Sequence, residues 1–149
     1  YRFPFASESD ITGVGHAFHD NLGGSPYGSY TFFYATAANS ADHIYMFGGQ
    51  SNAGFGNPTG KDFIEKTAFA SDGNSTDVGN LTRNLYEMAG SSSTTHGYSG
   101  GGTTTTNPNP LQTSNELTDI QKFPFASDTN ATDTADLHTG TNQATPTFT

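Results

Sequence analysis

Oxygen-bearing side chains crowd two short stretches, DGNSTD at residues 72–77 and DTNATD at 128–133. Alternating Asp and Asn in a turn can gather a hard cation such as calcium, which makes Asp72, Asn74 and Asp77 one candidate ligand set and Asp128, Asn130 and Asp133 another. The EF-hand spacing is missing, because neither stretch has a D-x-D-x-D-G run or a Glu at the twelfth position. Asp and Asn also close turns through their own side chains without a metal, and that reading stands ahead of calcium. No other cofactor is expected. N-x-[ST] sequons at Asn74, Asn80 and Asn130 are candidate glycan attachment sites, although such triplets also arise by chance in an Asn/Thr-rich chain.

The remaining reactive side chains form no catalytic constellation. His16, His19, His43, His96 and His138 are scattered, and only HAFH at 16–19 brings two imidazoles close in sequence. On a strand those two would face opposite sides, so a shared zinc would need a turn there; solvated or hydrogen-bonded imidazoles are the expectation. GQSN at 49–52 resembles the nucleophile block of some serine hydrolases, but DLH at 136–138 lacks the D-x-x-H spacing of a partner and no G-x-S-x-G elbow occurs. The chain reads as non-enzymatic.

Composition narrows the partners. With 5 Lys and Arg against 14 Asp and Glu, and a net charge of −9, the chain lacks the clustered positive charge that binds phosphate, so no nucleic acid and no anionic membrane surface is expected. No apolar run approaches the roughly 20 residues of a membrane-spanning helix, so membrane insertion is not expected either. The absence of Cys excludes disulfides and thiolate metal sites. Leu, Ile, Val and Phe number only 24, about 16% of the chain, a level at which disorder competes with folding. Against it stand 12 Phe and 7 Tyr. Each buried ring removes about 150–250 Å² from water, so rings shared between layers of sheet can hold a fold that has few aliphatics.

What must position these residues is a repeat. Phe-Ala-Ser occurs at 5–7, 69–71 and 125–127, at spacings of 64 and 56, and the glycines closing HIYMFGG (43–49) recur in HGYSGG (96–101) at a spacing of 52. Each period reads as strands. YTFFYATAA (30–38) is rich in aromatics and Thr, HIYMF is a short apolar run closed by turn glycines, and FIEKTAFAS and DIQKFPFAS alternate with period two. Pro4 and Pro124 confine their strands to an edge or a bulge, since proline cannot donate to a ladder. An Asp/Asn turn and a brief strand at VGNLT follow, and LTRNLYEMAG (81–90) could supply at most one helical turn. The expected fold is all-β, in repeated four-stranded units of about 50 to 60 residues, with a β-sandwich as the alternative.

HIYMFGG resembles the apolar strand and Gly-Gly of kelch-type repeats, and Arg83 ahead of YEMAGSSSTTHGYSGGG lies where such repeats often carry an Arg before the first strand of a blade. IQKFPFASDTNATD, DVGNLT and SSSTTHGYSGGG are similar to repeats of virion and tail-associated proteins of phages that infect aquatic bacteria. The first resemblance implies a β-propeller-like architecture. The second implies a structural or receptor-facing role in a virion or outside the cell.

The units are expected at 30–84 and 85–138, after a partial unit at 1–29 and before an extended Thr/Pro tail at 139–149. Two and a half units cannot close a propeller of four or more blades, so more of the same polypeptide or neighbouring chains should complete it. Unpaired strand edges add readily to another sheet, which makes a homo-oligomer or fibre the expected partner. An extracellular microbial filament subunit shares that physics. A carbohydrate-binding module that stacks rings on cell-surface glycans is a third reading, though the chain has no Trp.

Overall fold

The computed structural model describes residues 31–52, 58–71, 73–104 and 115–141. Among them there is no helix, and the strands form two antiparallel sheets. In the first sheet these are β1 (Thr31–Phe33), β2 (Thr36–Asn39), β3 (His43–Phe47), β4 (Gln50–Asn52), β5 (Pro58–Ala68) and β6 (Thr76–Leu85). The second holds β7 (Ala89–Ser92), β8 (His96–Gly100), β9 (Thr103–Thr104), β10 (Asn115–Pro124) and β11 (Thr132–Thr141). The main path of the first is β2-β3-β5-β6, and that of the second is β7-β8-β10-β11. Each is an up-and-down meander in chain order. The short strands β1 and β4 extend the first sheet alongside the early part of β5, and β9 does the same for β10. Among the described residues both sheets are open.

The meanders repeat in register as well as in order. Tyr45 pairs with Lys66 and Phe47 with Ile64, just as Tyr98 pairs with Lys122 and Gly100 with Ile120. Even the irregularities recur: the β5–β6 ladder shifts between Lys61 and Phe63 and between Ile64 and Glu65, and the β10–β11 ladder between Leu117 and Asp119 and between Ile120 and Gln121. A bulge adds twist and bends the strand, so two identically placed bulges give both sheets the same coil. The backbone therefore repeats at 53 residues through the first two strands and at 56 through the last two, as the His43 to His96 and Lys66 to Lys122 correspondences show.

Several local expectations need correction. YTFFYATAA is not one strand: Tyr34 has φ 58, which breaks it into β1 and β2. The facing chain kinks at the same level, at Gly48 (φ 58) and Gly49 (φ 100), so β1 leaves β3 and pairs with β4. The second unit repeats the device with Glu87 (φ 59), Gly101 (φ 65) and Gly102 (φ 99). Three consecutive glycines hid the true partner of Gly48 in the sequence; it is Gly101, not Gly100. Residues 81–90 carry no helical turn, since β6 runs to Leu85 and Tyr86 bridges Thr103. VGNLT is the middle of a ten-residue strand. Pro124 sits at neither an edge nor a bulge. It is the last residue of the central strand β10, where its missing N–H interrupts little of the ladder.

The core lies between the two sheets. Phe47 and Ile64 are fully buried, and Tyr45, Leu81, Leu85, Met88, Ala38, Phe123 and Ala131 join them, with Val78, Leu117 and Phe125 packed at the margin. Alternation puts Tyr45 and Phe47 of β3 on the covered face and leaves Ile44 and Met46 half-buried behind it. Each fully buried apolar side chain contributes about 1.5–3 kcal/mol, and the rings of Tyr45, Phe47 and Phe123 share the core with Ile64, Leu81, Leu85 and Met88.

Candidate assembly interface

The joint between the two units is the most elaborated surface among the described residues. At its centre Phe123 from β10 packs edge-on against Phe47 (ring centroids 5.2 Å apart, planes at 73°) and tilted against Tyr45 (5.5 Å). Phe125 lies nearly parallel to Tyr45 at 4.8 Å and meets Phe123 edge-on at 6.0 Å. These are the favourable offset and edge-to-face geometries of aromatic pairs. Room for the Phe123 ring comes from Gly97 opposite it on β8, where a Cβ would collide with the ring.

A polar rim surrounds the rings. Lys66 Nζ donates to both carboxylate oxygens of Asp128, at 2.6 and 2.8 Å. Arg83 Nη2 lies 2.8 Å from Asp119 Oδ2 in an ion pair that is not aligned as a hydrogen bond. The Thr82 amide donates to Gln121 Oε1 (2.8 Å) and the Asn80 amide to Asn130 Oδ1 (3.0 Å), while the Ala131 amide donates to Asn80 O (2.8 Å). Side chains and backbone of the second unit thus cap polar groups along β6, which would otherwise be an open edge. The two kinks also meet, with the Glu87 amide donating to Tyr34 O. Burial pushes the Tyr45 phenol above its ordinary pKa, opposed by the nearby Lys66 charge; Tyr86 is pushed the same way by burial and then by Glu87.

Of the candidate cation ligands, Asn74, Asp128 and Asn130 lie in the matching turns that lead into β6 and β11, and Asp77 and Asp133 are the second residues of those strands. Asp72 lies outside the described residues. Asp77 Oδ1 accepts from the Gly79 amide, Asp128 is held by Lys66, and Asn130 accepts from Asn80, so at least these three are engaged by protein donors. Asn74 and Asp133 are exposed. Among the described residues no three His, Asp or Glu side chains gather around a common point. The sequon residues Asn74, Asn80 and Asn130 are all exposed, and the last two meet at the joint.

His16 and His19 lie outside the described residues. His43 and His96 open β3 and β8, half-buried, each beside the tyrosine two positions on, and His138 is exposed on β11. GQSN falls on the kink and β4 of the first sheet and DLH on β11 of the second, so the structure does not bring them together as neighbours on one sheet. Sequence reasoning missed the joint itself. Its signal was the shared I-x-K strand, in which Gln121 stands where the first unit has Glu65. No protein-family model matches the chain, and no curated protein matches it.

Proposed function

We propose that this protein is a non-enzymatic structural component, of the kind found in phage virions and tail fibres, built from kelch-type, propeller-like units that assemble through open edges and present their loops at the surface. One observation carries the reading: the outer strand of the first unit, β6, is capped by the second unit, whereas β11, its counterpart, pairs only with β10 among the described residues. Most of β11 is exposed, from Thr132 to Asp136 and at His138 and Thr139. A unit whose outer strand is unpaired on one side among the described residues is suited to continuation, because an uncapped strand offers N–H and C=O groups to another chain. The virion or extracellular setting is carried by the resemblance of IQKFPFASDTNATD and SSSTTHGYSGGG to virion and tail-associated repeats. A microbial filament subunit would use the same contacts, and particle shape separates the two.

The test is mass in solution over a range of protein concentrations, with electron micrographs of the same samples. A discrete oligomer supports a closed ring, and an open-ended size distribution supports a fibre. A compact monomer at every concentration overturns the assembly reading.

A further inference from the structure

The face of the first sheet that receives the second unit is reproduced in part on the outward face of the second sheet, with Gly100 standing where the first unit has the buried Phe47. Tyr45, covered by Phe123 and Phe125, corresponds in register to Tyr98, and Lys66, paired with Asp128, corresponds to Lys122. Local geometry is reproduced too. His43 and Tyr45 have ring centroids 6.2 Å apart at 49°, and His96 and Tyr98 have theirs 6.3 Å apart at 48°. Burial differs: Tyr45 is 3% exposed and Ile64 fully buried, whereas their counterparts Tyr98 and Ile120, with Lys122 beside them, are only half-buried.

The complementary surface is open at the other end of the chain. Phe125, which stacks on Tyr45, corresponds to Phe69, and the two share a backbone anchor: the Phe125 amide donates to Thr95 O and the Phe69 amide to Asp42 O, each at 2.9 Å. Phe69 is nevertheless 55% exposed, one of two large hydrophobics so exposed among the described residues. Among the described residues the chain therefore carries one receiving face that no second unit covers and one exposed inserting ring.

We infer that a second copy of this chain docks head to tail on the first, its Phe69 stacked on Tyr98 beside Lys122, in the way Phe125 stacks on Tyr45 beside Lys66. The occupant is a second copy because the two open surfaces match each other and because the charge is right: the acid after Phe-Ala-Ser in the first unit, Asp72, is the sequence counterpart of the Asp128 that pairs Lys66. Such a contact is heterologous, so it propagates to a ring or a filament rather than stopping at a dimer. The inference rests on the assembly reading and names the residues of its contact.

Complementing variants test it. Phe69→Asp removes the inserting ring and leaves the receiving face, and Tyr98→Asp does the reverse. Both side chains lie outside the core, and circular dichroism checks that each variant is folded. Sedimentation should show that the wild type associates, that each variant alone stays at the 15.7 kDa of one chain, and that an equimolar mixture forms a species of twice that mass and nothing larger. Single variants that associate as the wild type does overturn the head-to-tail contact and leave assembly through β11 in place, and a mixture that stays monomeric overturns the contact as well. A monomeric wild type overturns both. If the wild type is monomeric and Tyr98→Asp lowers its melting temperature, the receiving face is covered from within the same chain.

Discussion

Phe123 joins the two units, and truncating it to Ala tests whether the joint holds the fold together. The ring is 2% exposed and in contact distance of Tyr45, Phe47 and Phe125. A buried Phe removes about 150–250 Å² from water, which at about 25 cal/mol per Å² is about 4–6 kcal/mol as an upper bound. Measured truncations of buried Phe cost about 3–5 kcal/mol, because the cavity collapses only in part. Gly97 opposite contributes no side chain to fill the space, so the upper half of that range is expected. For a domain whose whole stability is about 5–15 kcal/mol, such a loss should lower the melting temperature by about 6–20 °C. The register counterpart of Phe123 in the first unit is Thr67, paired to Ile44 as Phe123 is to Gly97, and Thr67→Ala should cost less than about 1 kcal/mol. Urea unfolding followed by tyrosine fluorescence measures both, since the chain has no Trp to mask the signal. A Phe123→Ala cost below about 1 kcal/mol would refute the reasoning, because the sheets would then be held by something other than this ring stack.

Stability should decline at alkaline pH. Burial raises the Tyr45 and Tyr86 phenols above 10.0, so the folded chain keeps protons that the unfolded chain releases; this contribution is intact below about pH 10 and is lost as pH rises through the folded values. Tyr45→Phe should flatten that decline in a series of alkaline melts. Asp128→Asn should cost only about 0–1 kcal/mol, with the difference shrinking as salt is added, because the acid is half in water. Gly102→Ala should cost about 1–3 kcal/mol, since φ 99 is unfavourable for an L residue and the new Cβ would lie 2.6 Å from Met88 Cγ; Gly100→Ala, with open space around it, should stay within about 0.5 kcal/mol. Thermal melts of the pair check both. Calcium added to the wild type should leave the melting temperature unchanged while Asp128 and Asn130 are held by protein donors, and a rise would place a cation in the turns.

The two-residue alternation of FIEKTAFAS and DIQKFPFAS located β5 and β10, although both strands begin four or five residues earlier and end before Phe-Ala-Ser, and the recurrence of Phe-Ala-Ser marked the two strands as counterparts. What could not be read was where the chain kinks. Tyr34 and Glu87 adopt positive φ although neither is a residue that favours it, because the Gly-Gly kink opposite and the Glu87 amide to Tyr34 carbonyl bond fix them there. A tertiary constraint of that kind leaves no local trace. The joint was equally hidden, because Arg83 and Asp119, or Thr82 and Gln121, are far apart in sequence and meet only once two bulged strands coil by the same amount.

Differences between the units at matched positions say which surfaces each must cover. Glu65 is buried and accepts from the Ser75 hydroxyl; at the corresponding positions the second unit has Gln121 and Ala131. The two exchanges belong together. A buried carboxylate needs its donor, and at position 131 a hydroxyl would have to be buried against the first sheet, so the loss of the hydroxyl goes with the loss of the charge, and the neutral amide takes the Thr82 N–H instead. Where the joint changes a position's surroundings, the residue has changed with it. Tyr98, Ile120 and Lys122 have not changed from Tyr45, Ile64 and Lys66, although no second unit covers them among the described residues. The half-buried tyrosine and isoleucine retained on that face are what the proposed head-to-tail contact would cover, whereas Phe47, fully buried in the joint, is answered there by Gly100.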